Sequence, residues 1–213
     1  MPNVWGRRME NTGRRGVFIC IEGLDGCGKT TQARLLVKKL KEDYDTVFTA
    51  EPSKGRIGKF IKQHYLHADM RGSVIVEALL FAADRVDHVQ NEVLPALSKG
   101  KIIVSDRYVY SSYAYQGAAG LELEWIQRLN DHAARPDLAV FVDVEPETVM
   151  KRLKRKKSVM EKLETQKKVR DVYLKFVGDS QLVRLDGNRP KRAVARDLLK
   201  IVRTFLEESA KPS

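Results

Sequence analysis

Apolar runs of about five residues alternate along this chain with longer stretches in which apolar positions recur every three or four residues. Val17–Ile21 (VFICI) is continuous, rich in β-branched residues and runs into a glycine-bearing segment, as a strand buried on both faces does. Further strands are expected at Thr46–Ala50, Lys101–Ser105 (KIIVS), Leu138–Val144 (LAVFVDV) and Gln181–Leu185. Between them, Thr31–Lys41 has helical spacing, with Leu35, Leu36 and Leu40 on one side. Other helices are expected near Ile57–Tyr65, over Gly72–Leu97 with a break near Pro95, and over Leu123–Ala134, Pro146–Lys156, Val159–Phe176 and Lys191–Leu206. Strands without polar alternation, separated by amphipathic helices, imply a parallel sheet covered on both faces. The expected architecture is one three-layer α/β domain over residues 16–210, behind a flexible basic tail at 1–15.

Composition narrows this picture. The chain has 213 residues, 43% of them hydrophobic, and no long low-complexity tract, which excludes disorder for most of it. No apolar run approaches the roughly 20 residues that span a bilayer. The N-terminal residues lack the apolar core and cleavage site of a signal peptide. Cys20 and Cys27, seven residues apart, cannot build a disulfide framework, so a soluble protein of the reducing cytoplasm is expected. The net charge of +11 concentrates in the tail and in Lys151–Lys168, where nine Lys/Arg face two Glu. A basic segment of this kind serves small phosphate ligands as well as a nucleic-acid backbone, and it also suits a solvated helix. It has no interleaved aromatics on which single-stranded bases would stack.

The strongest chemical signal is Gly23-Leu24-Asp25-Gly26-Cys27-Gly28-Lys29-Thr30, with Thr31 next, placed between a buried strand and a helix. This G-x-x-x-x-G-K-[ST] pattern turns backbone N–H groups inward around phosphate oxygens at a helix N-terminus. Lys29 is expected to reach the β- and γ-phosphates and Thr30 to hold Mg²⁺. Cys27, inside the loop, reads as a small filler rather than a redox thiol. The Lys101–Ser105 strand leads into Asp106-Arg107-Tyr108. Ligands of open parallel sheets lie beyond the carboxyl ends of the strands, so Asp106 is placed to meet the metal and Arg107 to clamp a phosphate. Asp143 also follows an apolar run, and the sequence does not exclude it as a metal-holding acid. Asp106 is preferred, because Arg107 directly after it makes a phosphate site whereas Asp143 is followed only by Val144 and Glu145.

Taken with Glu51-Pro52-Ser53, Leu79–Arg85 (LLFAADR) and Asp106–Gly117 (DRYVYSSYAYQG), the loop makes the chain resemble the thymidylate kinase family, in order from Val17 to about Leu206. The resemblance implies a P-loop kinase fold that transfers the γ-phosphoryl group of ATP to dTMP, with Mg²⁺. Residue by residue, it implies that Asp25 approaches the acceptor sugar, Phe81 stacks on thymine and Arg85 bonds the base. It further implies that Arg107 holds the acceptor phosphate and Tyr115 excludes a 2′-hydroxyl, with Ser112 and Gln116 as polar partners of the base and Glu51 in the acceptor site. A lid at about 151–168 is expected to bring Arg152 or Arg155 to the transferred phosphoryl group. Many relatives have Arg before the Glu-Pro pair, where this chain has Ala50; Lys54 or Arg56 then becomes the source of that charge. The Ser73–Val89 helix is apolar on nearly every side, which fits either a helix inside one core or the interface of the family's homodimers. Rival readings are another nucleoside or nucleotide kinase and a nucleic-acid-stimulated P-loop ATPase. The chain lacks the Asn-Lys-x-Asp of guanine-reading switches.

Overall fold

Five parallel strands form one sheet in the order β2-β3-β1-β4-β5. The computed structural model describes residues 15–66, 72–153 and 162–209. The strands are β1 Val17–Glu22, β2 Thr46–Ala50, β3 Ile102–Asp106, β4 Leu138–Asp143 and β5 Val183–Asp186. Every residue of β3 and β4 is buried, which is why Ile102–Val104 and Leu138–Val142 read as unbroken apolar runs. Helices α1 Lys29–Leu40, α2 Arg56–His64, α3 Val74–His88 and α4 Leu94–Leu97 come from the first half of the chain. The second half contributes α5 Val109–Ala118, α6 Leu123–Leu129, α7 Pro146–Arg152, α8 Leu163–Gly178 and α9 Lys191–Ser209. The core lies between sheet and helices, with Phe18, Ile19, Ile21, Val140 and Phe141 fully buried.

Register brings the carboxyl ends of the central strands level. Ile21 pairs with Asp106, and Ala50 pairs with the same residue from the other side. Glu22, Glu51 and Asp106 therefore emerge along one edge of the sheet, where the loop after β1 begins.

Three helix expectations need correction. First, α5 was not foreseen, since its Val, Tyr, Ser and Gly residues are weak helix formers. Its formation depends on tertiary contacts. Secondly, the helix expected over Leu123–Ala134 ends at Leu129. The Asn130 side chain there donates to the Ile126 carbonyl (2.8 Å), competing with the next helical turn. Thirdly, the chain is not broken at Pro95. Instead α3 runs into a π-helical turn at Val89–Val93 and then α4, a wider turn that accommodates the missing N–H and bulk of Pro95.

The tail expected at 1–15 lies, except for Arg15, outside the described residues. So do the central part of the expected lid, including Arg155, and the first residues of the helix expected from Val159. Among the described residues, no helix is long and apolar enough to cross a membrane.

Candidate active site

The loop from Gly23 to Thr30 has the backbone its glycines permit. Gly23, Gly26 and Gly28 have φ of 153°, 82° and 96°, values that L side chains rarely adopt. At Gly23 a Cβ would also sit 2.7 Å from Cys27 Sγ and 2.9 Å from the Val142 carbonyl. Cys27 is thus packed into the loop's interior, and burial pushes its thiol above the usual range, as a filler requires. Gly28 caps α1 with no side-chain bond, leaving the helix's first N–H groups pointing into the loop. The Lys29 ammonium donates to the Leu24 carbonyl (3.1 Å) and lies 3.8 Å from Asp25.

The β3 terminus closes on this loop. Thr30 Oγ1 donates to Asp106 Oδ2 at 2.5 Å, while Asp106 Oδ1 is buried and has no hydrogen-bond partner among the described residues. An unpartnered carboxylate oxygen beside a hydroxyl suits a hard cation that takes oxygen ligands and keeps several waters. The donor set therefore fits Mg²⁺. The other candidate acid, Asp143, is already committed: Arg170 (2.7 and 3.0 Å) and Arg184 (2.8 Å) hold its two oxygens.

Arg107 reaches back to the loop. Its Nη2 donates to Asp25 Oδ1 (2.6 Å) and Tyr115 Oη (3.3 Å), and its Nη1 donates to Ser111 Oγ (2.8 Å). The guanidinium carbon lies 5.0 Å from the Tyr115 ring centroid. Tyr115 Oη also donates to Asp25 Oδ2 (3.1 Å). Burial by itself would raise the Asp25 carboxyl, but Arg107 and Lys29 hold it down to about 2.

A second cluster sits behind this one, built on α3. Glu51 Oε2 accepts from Arg85 Nε (2.9 Å) and Nη2 (2.7 Å), with the two side chains 3% and 1% exposed. Arg85 also donates to Asn130 Oδ1 (2.5 Å) and Ser112 Oγ (3.1 Å), and it lies over the Tyr108 ring. These bonds occupy four of its five N–H donors, leaving one on Nη1 without a hydrogen bond among the described residues. The Glu51 Oε1 atom faces His88 Nδ1 at 3.1 Å. Gln116 donates to Glu77 (2.6 Å), and its own Oε1 is buried without a partner among the described residues. Phe81 is half-buried and stands outside the main core.

The segment after β4 also reaches the loop. Leu153 lies within 3.0 Å of where a Gly26 Cβ would be, and Arg152 Nη1 donates to the Cys27 carbonyl at 3.4 Å. Lys54 is exposed just before α2, and Arg56 is exposed as the first residue of that helix.

Several participants were missed from sequence: Glu22, Glu77, Asp84, His88 and Asn130. A signal existed for most of them. Glu22 is a charge ending an apolar strand, and Glu77, Asp84 and His88 share a helix face with Phe81 and Arg85 in an otherwise apolar segment. Asp84 accepts from Ser53 N (2.7 Å) and Ser53 Oγ (2.6 Å), which fixes the turn after Glu51. Asn130 had no signal, because only the fold brings it to Arg85.

Strand, glycine loop, helix and a neighbouring strand ending in Asp-Arg together define a P-loop kinase fold of the α/β class. The family model described as thymidylate kinase matches residues 21–198. A probable thymidylate kinase of Pyrococcus abyssi is 46% identical over 170 residues, covering 76% of this chain and 83% of that protein. A thymidylate kinase of Caldanaerobacter subterraneus subsp. tengcongensis is 40% identical over 203 residues, 91% of this chain and 98% of that protein. The chain belongs to the thymidylate kinase family.

Proposed function

We propose that this chain phosphorylates dTMP to dTDP with ATP as donor, and that the residues gathered at the carboxyl edge of the sheet do the work. The observation that carries the residue assignment is the ion pair of Arg107 with Asp25, which joins the arginine after β3 to the phosphate loop itself. In this reading, the amides of Gly26–Thr30 and the Lys29 ammonium bind the donor's phosphates at the start of α1. Arg107 turns from Asp25 toward the acceptor phosphate, and Asp25 stays charged to meet the acceptor sugar. Tyr115, which shares both of those partners, lines the sugar and leaves no space for a 2′-hydroxyl. Arg85, with one N–H to spare, bonds a carbonyl of the base, while Phe81 stacks on it and Gln116 offers its unpartnered Oε1. Glu51 acts by fixing Arg85, since both its oxygens are engaged. Arg152 reaches the transferred phosphoryl group from above the loop.

Thr30 and Asp106 would hold Mg²⁺, which supplies charge neutralisation at the phosphate oxygens. Phosphoryl transfer needs little covalent help, so these residues act by alignment and by stabilising negative charge.

We further propose a cytoplasmic homodimer. Ile75, Val76 and Leu79 of α3 are 52%, 42% and 46% exposed, an apolar stripe that a second copy of the chain would cover.

Steady-state kcat/KM for dTMP, dUMP, UMP, dGMP and AMP, read by coupled ADP release, tests the function. The expected order is dTMP, then dUMP lower by roughly 10–200-fold for the lost methyl group, then UMP. AMP or dGMP outrunning dTMP would overturn the reading. UMP equal to dUMP would remove only Tyr115 from its role.

A further inference from the structure

Arg107 has a left-handed backbone (φ 71°), a costly conformation for any residue with a Cβ. Something must hold it. Its own peptide groups are pinned by Arg107 N donating to the Ile21 carbonyl (3.0 Å) and by Ser105 Oγ donating to the Arg107 carbonyl (2.6 Å). On the following side stands Glu22, the last residue of β1, which is fully buried. Its Oε1 accepts from the backbone N–H of Tyr108 (2.9 Å) and Ser111 (3.2 Å). These amides belong to the first turn of α5, whose own N-cap residue, Tyr108, makes no side-chain capping bond. A carboxylate from the neighbouring strand thus caps the helix, where its charge also meets the helix's positive end.

The other oxygen of Glu22 completes a chain of bonds to the guanidinium. Glu22 Oε2 accepts from Ser111 Oγ (2.6 Å) and from Tyr173 Oη (3.0 Å). Ser111 Oγ in turn accepts from Arg107 Nη1 (2.8 Å). A guanidinium only donates, so the polarity is fixed from Arg107 to Ser111 to Glu22. Burial pushes the Glu22 carboxyl up, opposed by bonds from Ser111, Tyr173 and Tyr108 and by the charge of Arg107.

We infer that Glu22 is a positioning residue for the acceptor phosphate: it holds the turn at Arg107 through the α5 cap and aims the guanidinium through Ser111. The inference rests on Arg107 being the acceptor-phosphate arginine, as proposed above. Glu22→Gln is nearly isosteric and keeps one oxygen for the two amides. Its NH₂ group, however, faces Ser111 Oγ and Tyr173 Oη, so the Ser111 proton loses its carboxylate acceptor and can turn only to Tyr173 Oη, 3.0 Å away, and the chain of bonds no longer ends on a negative charge. Ser111→Ala removes the middle link while leaving Glu22 and both amides in place, and it carries the test alone if Glu22→Gln does not fold.

The experiment is steady-state kinetics of the full chain and of the E22Q, S111A, E22Q/S111A and R107A variants, with dTMP and ATP varied in turn. Each single variant should raise KM for dTMP about tenfold and leave KM for ATP within twofold. The double variant should be no worse than E22Q alone, because both changes break one chain. Equal losses for dTMP and ATP, or an unchanged KM for dTMP in S111A, would overturn the inference, as would fully additive effects in the double variant. An R107A enzyme with unchanged KM for dTMP would instead refute the assignment of Arg107, and the inference with it. A loss in R107A with E22Q and S111A silent refutes the inference only.

Discussion

Glu51→Gln should uncouple the base-side cluster from the rest of the acceptor site. In the native protein Glu51 Oε2 takes two N–H bonds from Arg85, at 2.7 and 2.9 Å, in a pair only 3% and 1% exposed. The substitution keeps the shape but removes the negative charge, leaving the guanidinium among groups that carry none: the Tyr108 ring, Ser112 and Asn130. Removing one member of a buried pair typically costs about 3–5 kcal/mol, because the survivor is buried without compensation. For a chain of this size that corresponds to a fall in melting temperature of roughly 6–20 °C. His88 Nδ1 loses its carboxylate as well, so the upper part of that range is expected. The assay is calorimetric melting together with coupled ADP release. KM for dTMP should rise at least about tenfold as Arg85 loses its fixed orientation, with KM for ATP little changed. The double variant R85M/E51Q should be destabilised by less than the sum of the single variants, since it leaves no orphaned charge. A Glu51→Gln protein that melts within about 2 °C of the native one, with dTMP kinetics intact, would refute the reasoning.

Lys29→Met should leave a folded protein with turnover reduced by about 10²–10³-fold, since it deletes a buried donor aimed into the phosphate loop; turnover within threefold of native removes Lys29 from that role. In light scattering the native chain is expected at the mass of a dimer and Leu79→Glu at that of a monomer, because the substitution places a charge on the exposed stripe of α3; an equal mass for the two would refute that interface. The Asp25 carboxyl, held at about 2 in the folded chain against the ordinary 3.8, contributes stability that is present above pH 4 and lost as pH falls toward 2. With the side chain 31% exposed, this contribution is on the order of 1–2 kcal/mol. Asp25→Asn should therefore flatten the acid limb of melting temperature against pH, and an identical limb in both proteins would exclude Asp25 as its cause.

Much of this protein is legible in the order of its residues. Strands buried on both faces are apolar over most of their length, with polar residues here only toward their carboxyl ends, so β1, β3 and β4 stand out within one or two residues of their bounds. The glycine loop is equally legible, because positive φ and close backbone approach at Gly23 exclude every other residue type. Asp106 and Arg107 could be placed beside that loop from the rule that parallel sheets bind at their carboxyl ends. What sequence could not decide is what depends on meetings between distant elements. The α5 helix is written in weak helix formers and is capped by Glu22, 86 residues before Tyr108. Asn130 turns both the end of α6 and the orientation of Arg85, 45 residues away, through one amide. Sequence favours Asp106 over Asp143 as the acid proposed to hold the metal, but only the fold shows the pairing of each carboxylate: two arginines hold Asp143, while Asp106 keeps one oxygen without a partner among the described residues, beside Thr30. Local pattern reports the periodicity and backbone a segment can adopt; which polar groups satisfy one another in the interior is settled only when packing excludes water and leaves each with a single neighbour.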